Sequence, residues 1–310
     1  MIRHVYANRS NIGDWLSARG IQALLGSREI TDYFCDAPFV EKTIASLSKS
    51  AEDDLIVVGG GGLFMDYFEP FWRALLKAPP RAPVFIWGVG LCDLKAEASK
   101  PPRQLLQRVA GMAEQCVVRD PATWAHLGLH LLPPPVLCPS LAAISAEASG
   151  WGVLHVDNYT TVGTDAFDWM DREGRRFAAA TGRPYRRTNN RLEPVDEAAL
   201  QQVLDLYRAS DLVLSSALHG CIIALAMGRP VLAVSGDWKI EGFMEAVGLG
   251  EWVIDASDVQ RVAELLPDLP RQAIPWQRMA AAVEDNRAVA AGILATQAGP
   301  TAEAPLLQTP

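Results

Sequence analysis

One stretch of the chain, Asp211–Leu249, predicts both a fold and a site: DLVLSSALHGCIIALAMGRPVLAVSGDWKIEGFMEAVGL. Two apolar runs, Leu212–Leu214 and Val231–Val234, predict buried strands, and the apolar stretch Ile222–Met227 between them predicts a helix that ends at Gly228. This order of strand, helix and strand is typical of a βαβ unit in a parallel sheet. His219 stands where the first strand turns into the helix, and ligands of such sheets bind at that edge. His219 is therefore the leading candidate for a functional residue.

The composition excludes several classes of protein. The 310 residues carry a formal net charge of −8 and have no basic stripe of the kind that a nucleic-acid-binding surface needs. No apolar run approaches the ~20 residues of a membrane-spanning helix, and the first residues lack the core of a signal peptide. The five cysteines have no spacing typical of zinc ligands or of a disulfide framework. We expect a cytoplasmic protein that binds no metal and no nucleic acid.

Strand and helix signals alternate along the whole chain, which predicts an α/β protein with parallel sheets. At this length two domains are expected, and the proline-rich and alanine-rich segment 133–150 has the composition of a linker. We therefore predict two Rossmann-like domains, residues 1–145 and 146–297, with a cleft between them. The last predicted helix, Trp276–Gln297, could instead pack back on the first domain. Residues 298–310 are predicted to be a disordered tail.

Short motifs spread along the chain resemble those of the polysaccharide pyruvyl transferase family. They are Asn11-x-Gly13-Asp14, the predicted strand Asp54–Val58 ending in glycines 59–62, Phe85-x-Trp87-Gly88-x-Gly90, Val118-Arg119-Asp120, Ser216-x-Leu218-His219-Gly220, Gly228-x-Pro230, Lys239 and Phe243. Each motif is short, so the resemblance depends on their order and spacing. It implies two Rossmann-like domains arranged as in GT-B glycosyltransferases.

The resemblance also implies an activity. Members of this family move the enolpyruvyl carbons of phosphoenolpyruvate onto two hydroxyls of a sugar, forming a cyclic ketal without a metal or a redox cofactor. For this chain it implies phosphoenolpyruvate as the donor substrate and no cofactor. The implied acceptor is a saccharide precursor of a bacterial surface polysaccharide, lipid-linked at the inner face of the membrane. His219 would be the catalytic residue, and the oligomeric state is left open.

The candidates for substrate binding lie at predicted strand ends, at predicted helix starts or in a basic segment. They are Asn11, Gly13, Asp14, Gly60, Gly61, Gly88, His155, Arg186, Arg187, Ser216, Leu218, Gly220 and Lys239.

One position departs from the family pattern. Arginine is common two residues before the histidine, but Ala217 stands there in this chain. The densest basic segment contains Arg183, Arg186, Arg187 and Arg191, and we expect it to be a loop that supplies the missing positive charge. Arg186 and Arg187 would then bind the anionic donor.

The expected chemistry needs a protonated histidine. A helix N-terminus disfavours a cation, so His219 should be neutral near pH 7 unless a carboxylate pairs with it. Asp14 and Glu241 are the two candidate partners, and the sequence does not separate them.

Several candidates also have a purely structural interpretation. Asn11 and Asp14 suit the first turn of a helix, the glycines suit close packing, and Arg119 with Asp120 suits a structural ion pair. For the whole protein, two other functions stay open. One is a GT-B-type glycosyltransferase that uses a nucleotide sugar, and the other is a non-catalytic homologue that has kept the fold.

Overall fold

The strands form two parallel sheets of five strands each, one from each half of the chain. The computed structural model describes residues 1–26, 28–92, 94–95, 101–130 and 132–296. The predicted tail, residues 298–310, lies outside the described residues.

The first sheet has the spatial order β2-β1-β3-β4-β5 and the second has the order β10-β9-β8-β6-β7. The strands of the first sheet are β1 (Ile2–Tyr6), β2 (Ile30–Phe34), β3 (Leu55–Phe64), β4 (Val84–Leu91) and β5 (Gln115–Val118). Those of the second sheet are β6 (Val153–Val156), β7 (Tyr185–Thr188), β8 (Leu212–Ser215), β9 (Val231–Ser235) and β10 (Val253–Asp255). The predicted α/β class with two parallel sheets is confirmed.

Helices connect the parallel strands, because two parallel neighbours cannot be joined by a tight turn. In the first half these helices are α1 (Ile12–Leu25), α2 (Val40–Leu47), α3 (Glu69–Lys77), α4 (Arg103–Met112) and α5 (Pro121–Leu127). In the second half they are α6 (Tyr159–Val162), α7 (Thr164–Ala180), α8 (Glu197–Arg208), α9 (Leu218–Ala226) and α10 (Trp238–Ala246). Two further helices, α11 (Val262–Leu265) and α12 (Trp276–Ala295), follow the last strand.

The apolar strands are buried on both faces. In β3, Ile56 and Val58 belong to a core that includes Trp72 of α3, whereas Leu55 and Val57 belong to a core on the opposite face. This alternation follows from the two-residue period of a strand, and helices on both sides explain why the strand is apolar throughout.

Two local predictions about element boundaries are wrong. The strand expected to end before the glycine run continues to Phe64, because the glycine run stays paired with β4. Gly60 and Gly61 take up positive φ angles of 83° and 98° within it, which glycine tolerates. The helix expected from Ile222 begins at Leu218. His219 therefore lies inside the first turn of α9 rather than before it.

The last helix contacts both halves of the chain. Met279 and Ala282 pack in the core cluster that contains α9, whereas Val289 and Ile293 pack on the first sheet. Asn286, which lies between these pairs, accepts a hydrogen bond from the indole N–H of Trp87 in β4 at 2.9 Å. The second part of α12 thus packs back on the first sheet, while the domain boundary near residue 145 stays a prediction.

Backbone contacts at two places join the carboxyl edges of the sheets. Asn11 and Arg191 form an isolated antiparallel bridge, next to which the N–H of Ile12 donates to the carbonyl of Asn190 at 3.0 Å. Leu94 forms the second bridge, with Asp237. The two sheets consequently face each other with the ends of their strands.

Candidate functional site

A cavity of about 370 Å³ lies between the facing carboxyl edges, and we call it the His219 cavity. Its walls come from the start of α1 and from segments that follow strands of both sheets. The lining residues are Asn11, Asp14, Gly62, Met65, Phe68, Cys92, Leu94, Arg119, Asn158, Thr161, Asn189, Asn190, Arg191, Ala217, Leu218, His219 and Lys239. The predicted cleft between two Rossmann-like units thus contains the predicted catalytic residue.

His219 is half-buried, and its ring rests on the first turn of α1. A Cβ atom added to Gly13 would overlap the imidazole, so a glycine is needed for this contact. On the other side of the ring, Nε2 lies 3.3 Å from Oγ of Ser17 and 3.6 Å from Sγ of Cys138. The first and second halves of the chain therefore meet at this side chain.

Asp14 lines the cavity together with His219, whereas Glu241 does not line it and is paired with Lys95. Burial raises the pKa of Asp14 to about 6, although His219 and Arg119 oppose this. Burial lowers the pKa of His219 to about 3, Arg119 adds to the effect, and Asp14 opposes it. At pH 7 the imidazole is therefore neutral and Asp14 is mostly ionised.

Three cationic side chains line the His219 cavity. Arg119 is only 4% exposed, and its Nε has no hydrogen-bond partner within the part of the chain that the structure describes. Nζ of Lys239 lies 2.5 Å from Oδ2 of Asp237, which partly neutralises it. Arg191, the third of these side chains, is exposed. With Asp14 as the one acid among the lining residues, the cavity is electropositive.

The first turn of α9 adds hydrogen-bond donors to this wall. The first N–H groups of a helix have no acceptor within the helix, and a side chain at the preceding cap position usually accepts from them. Ala217 occupies that position with extended angles, φ −118° and ψ 133°, and its methyl group makes no such bond. Ala217, Leu218 and His219 all line the cavity, so this uncapped turn borders it.

Four of the predicted substrate-binding residues line the His219 cavity: Asn11, Asp14, Leu218 and Lys239. Asn11 also caps α1, since its side chain accepts from the N–H of Gly13 at 2.8 Å. This confirms the structural interpretation of Asn11 without removing it from the cavity wall.

The other predicted glycines and Ser216 allow close packing around the cavity. A Cβ on Gly61 would overlap the carboxylate of Asp14, and one on Gly60 would overlap Ser17. Gly88 packs in the same way against Pro139, and Gly220 against Ser215. Ser216 is buried, and its Oγ accepts from the N–H of Asn158 at 2.7 Å. These residues position the lining side chains, while direct substrate contacts stay a prediction.

His155 and Arg186 lie away from the His219 cavity. His155 is buried in β6, where Nδ1 lies 2.8 Å from the hydroxyl oxygen of Tyr185. Its Nε2 has no hydrogen-bond partner among the described residues. Nη1 of Arg186 donates to the carbonyl oxygen of Ala209 at 3.2 Å.

The basic segment is not one loop as expected, because Tyr185–Thr188 forms strand β7. Alternate residues of a strand point to opposite faces, so Arg186 and Arg187 separate. Arg187 pairs with Asp157 at 3.2 Å and with Asp171 at 3.3 Å. It lines a second cavity of about 700 Å³, which we call the Arg187 cavity. Its lining residues are Asp157, Thr164, Phe167, Asp168, Arg187, Thr188 and Asn189.

Sequence reasoning missed Arg119 as a site residue. Its Nε lies 3.7 Å from Oδ2 of Asp120, as the ion-pair interpretation predicted, but the same side chain also lines the His219 cavity. The available signal was its position directly after β5, which corresponds to the position of His219 after β8. The carboxyl edges of the two sheets face each other, so side chains at both points can reach the cavity between them.

The described residues give no sign of a membrane span or a metal centre. No helix among them is both long and apolar enough to cross a bilayer. Nor does any group of three His, Cys, Asp or Glu side chains in this part of the chain have the proximity to hold a metal ion.

Comparison with known families gives one match, to the family described as polysaccharide pyruvyl transferase, over residues 11–237. This span contains every lining residue of the His219 cavity except Lys239. No curated protein sequence matches the chain.

Solved structures of low sequence identity have the same fold. The UDP-GlcNAc 2-epimerase of Methanocaldococcus jannaschii, in complex with UDP-GlcNAc and UDP, has 9% identity and a TM-score of 0.55, covering 94% of this chain and 99% of its own. A putative UDP-N-acetylglucosamine 2-epimerase from Listeria monocytogenes has 11% identity and a TM-score of 0.57. The match covers 95% of this chain and 96% of the epimerase. The UDP-GlcNAc 2-epimerase of Neisseria meningitidis has 12% identity and a TM-score of 0.53. The match covers 95% of this chain and 99% of the epimerase. At these identities the likeness concerns the fold alone, and it confirms the GT-B-like arrangement.

Proposed function

The chain belongs to the polysaccharide pyruvyl transferase family, and on this premise we propose that it transfers the pyruvyl group of phosphoenolpyruvate to two hydroxyls of a saccharide, forming a cyclic ketal. The acceptor that we propose is a precursor of a bacterial surface polysaccharide, lipid-linked at the inner face of the membrane. In this proposal the protein works in the cytoplasm, and the donor substrate replaces any cofactor.

The electropositive His219 cavity carries the proposal. Phosphoenolpyruvate has two anionic groups, a phosphate and a carboxylate. The guanidinium groups of Arg119 and Arg191 suit a carboxylate, because two parallel N–H groups can bind its two oxygens. The uncapped first turn of α9 and the ammonium group of Lys239 suit the phosphate. These groups would replace the arginine that is common in the family at the position of Ala217.

His219 must gain a proton before it can act as a general acid. Burial and the neighbouring Arg119 keep its pKa at about 3 in the protein without ligand. A bound anionic donor would offset the charges of Arg119 and Lys239 and would thereby raise the pKa of the imidazole. Asp14, whose pKa burial raises to about 6, could hold the same proton nearby. The acid would then form only when the donor is in place.

The reaction can be balanced with these groups. His219 protonates the methylene carbon of the enolpyruvyl group, which becomes the methyl group and leaves an electrophilic carbon beside the bridging oxygen. The oxygen of one sugar hydroxyl bonds to that carbon and gives its proton back to His219. The bond from that carbon to the phosphate oxygen then breaks, and the second hydroxyl closes the ketal while its proton leaves with the phosphate. A positioned acid and base of this kind is worth about 10²–10⁴-fold in rate.

Ligand-induced changes in melting temperature test the donor. Phosphoenolpyruvate at a hundred times its dissociation constant should stabilise the protein by about 2.7 kcal/mol. UDP-N-acetylglucosamine is the comparison ligand, because a glycosyltransferase would use a nucleotide sugar. Stabilisation by UDP-N-acetylglucosamine alone would favour the glycosyltransferase alternative, and stabilisation by neither would favour a non-catalytic homologue.

Two arginine variants form a matched pair for the same assay. Arg191→Ala removes an exposed cation from the wall of the His219 cavity, whereas Arg186→Ala removes one that lies outside it. Loss of a charged hydrogen bond should weaken phosphoenolpyruvate binding by roughly 1.5 kcal/mol or more in Arg191→Ala. Arg186→Ala should bind the donor as the unchanged protein does. Equal affinities in the two variants would contradict the proposed donor site.

A further inference from the structure

The Arg187 cavity differs in charge from the His219 cavity. Its one cation, Arg187, is already paired with Asp157 and with Asp171, and Asp168 adds another carboxylate to the exposed wall. Carboxylates therefore outnumber cations there, whereas cations outnumber the carboxylate among the lining residues of the His219 cavity. An anionic donor is favoured in the His219 cavity and disfavoured in the Arg187 cavity.

The groups of the Arg187 cavity suit a neutral molecule rich in hydroxyls. The carboxyl oxygens of Asp157 and Asp168 can accept hydrogen bonds from hydroxyls, and the amide of Asn189 can both donate and accept. The ring of Phe167, whose centroid lies 4.6 Å from the guanidinium carbon of Arg187, adds apolar surface to the wall. The volume of about 700 Å³ lies within the usual range for small-molecule sites, ~300–1,000 Å³.

The two cavities are neighbours. Asn189 follows β7 and lines both of them. Asp157 of the Arg187 cavity is followed directly by Asn158, which lines the His219 cavity. A saccharide longer than one residue could therefore lie in the Arg187 cavity and extend toward His219.

We infer that the Arg187 cavity binds uncharged sugar residues of the acceptor, beside the sugar whose hydroxyls receive the pyruvyl group. This inference rests on the proposed function for the identity of the ligand. It divides the substrates by charge: the anionic donor binds in the His219 cavity and the neutral part of the acceptor binds in the Arg187 cavity. It also gives Arg187 a part in substrate binding that differs from holding the donor.

Saccharide binding to two aspartate variants tests the inference. Asp168 and Asp165 are both exposed on α7, three residues apart, but only Asp168 lines the Arg187 cavity. Lactose, cellobiose and maltose serve as neutral probes in saturation-transfer NMR and in titrations. Asp168→Ala should raise the dissociation constant of the binding disaccharide by tenfold or more, which is about 1.4 kcal/mol. Asp165→Ala should leave it unchanged, and both variants should keep the melting shift caused by phosphoenolpyruvate.

The outcomes separate this inference from the proposed function. It is overturned if no disaccharide binds the unchanged protein, if the two variants bind equally well, or if Asp168→Ala loses the shift with phosphoenolpyruvate. A protein that binds a disaccharide through Asp168 but does not bind phosphoenolpyruvate would support the saccharide site and refute the donor.

Discussion

His219 and Gly13 come from different halves of the chain, and their contact leaves no room for a side chain on Gly13. Gly13→Ala should therefore displace the imidazole and reproduce the loss caused by His219→Gln, a decrease in turnover of about 10²-fold or more. Turnover is measured as phosphate released from phosphoenolpyruvate in the presence of the saccharide acceptor. Both variants should stay folded: Gln can fill most of the space of the ring, and Ala at position 13 suits a helix and meets only a side chain.

Gly111 provides the control for this substitution. It lies in α4, and an added Cβ would meet nothing within 4 Å. Gly111→Ala should stabilise the protein by roughly 0.5–1 kcal/mol and leave turnover unchanged. Full activity in Gly13→Ala would mean that the observed position of the ring is not needed for catalysis.

The residues around His219 differ in how well a sequence predicts them. His219 could be predicted because a polar residue between a strand and a helix is conspicuous in an apolar segment. Arg119 could not be assigned to the cavity, because its neighbour Asp120 offered a sufficient local explanation for its charge. Which of Asp14 and Glu241 lies near His219 depends on the packing of the two halves, and a local pattern does not contain that information.

The first turn of α9 has no side-chain cap, and we propose that its N–H groups bind the phosphate of the donor. Ala217→Asn would place a hydrogen-bond acceptor at the cap position, which already has suitable backbone angles. This should stabilise the protein by about 1 kcal/mol, because an N–H group of the first turn gains a partner. The same N–H group could then no longer bind the phosphate, so the affinity for phosphoenolpyruvate should fall. Thermal melting with and without the donor measures both effects, and tighter donor binding in Ala217→Asn would argue against this anion site.

Strands and helices were predictable where periodicity was strong, and less so where glycines or charges interrupted it. The boundaries of α1 and α5 follow from Asn11 and Asp120, whose side chains cap them. Strand β3 was predicted too short because four glycines in sequence usually end a strand. Strand β7 was missed because Arg186 and Arg187 are charged, and only its position at the edge of the second sheet allows them there.

Three histidines whose pKa values are lowered should make the whole protein sensitive to acid. Burial lowers the pKa of His4 and of His155 to about 4 and that of His219 to about 3. The unfolded chain binds these protons below about pH 6.5 and the folded protein does not, so stability should fall as the pH decreases from 6.5 toward 4. Asp14 acts in the opposite direction, because its raised pKa of about 6 lets the folded protein bind a proton that the unfolded chain releases.

The histidines and Asp14 act in opposite directions, and the sizes of their contributions decide whether the protein is more or less stable at low pH. At pH 5 each of the three histidines should lower the free energy of unfolding by roughly 2 kcal/mol, and Asp14 should raise it by about 1 kcal/mol. The free energy of unfolding, measured by urea denaturation at pH 7 and pH 5, should therefore decrease clearly. An unchanged value would mean that these histidines are accessible to protons in the folded state. His155→Leu should show a smaller decrease than the unchanged protein.

The arrangement of the two sheets was predictable from the alternation of strands and helices, whereas the course of the last helix was not. An amphipathic helix near the end of a chain can cover either sheet, and the sequence does not select one. The choice depends on contacts between distant residues such as Trp87 and Asn286.

A polypeptide cut in the segment between the two sheets would not yield two self-sufficient pieces. The amino-terminal piece would lack α12, leaving the indole N–H of Trp87 without its acceptor and the face around Val57 without Val289 and Ile293. Such a piece would expose an apolar groove and would tend to aggregate. A synthetic peptide of residues 276–295 would fit that groove, and isothermal titration calorimetry would measure its binding. To recover a folded protein from the two halves of the cut chain, the halves would therefore have to be produced together.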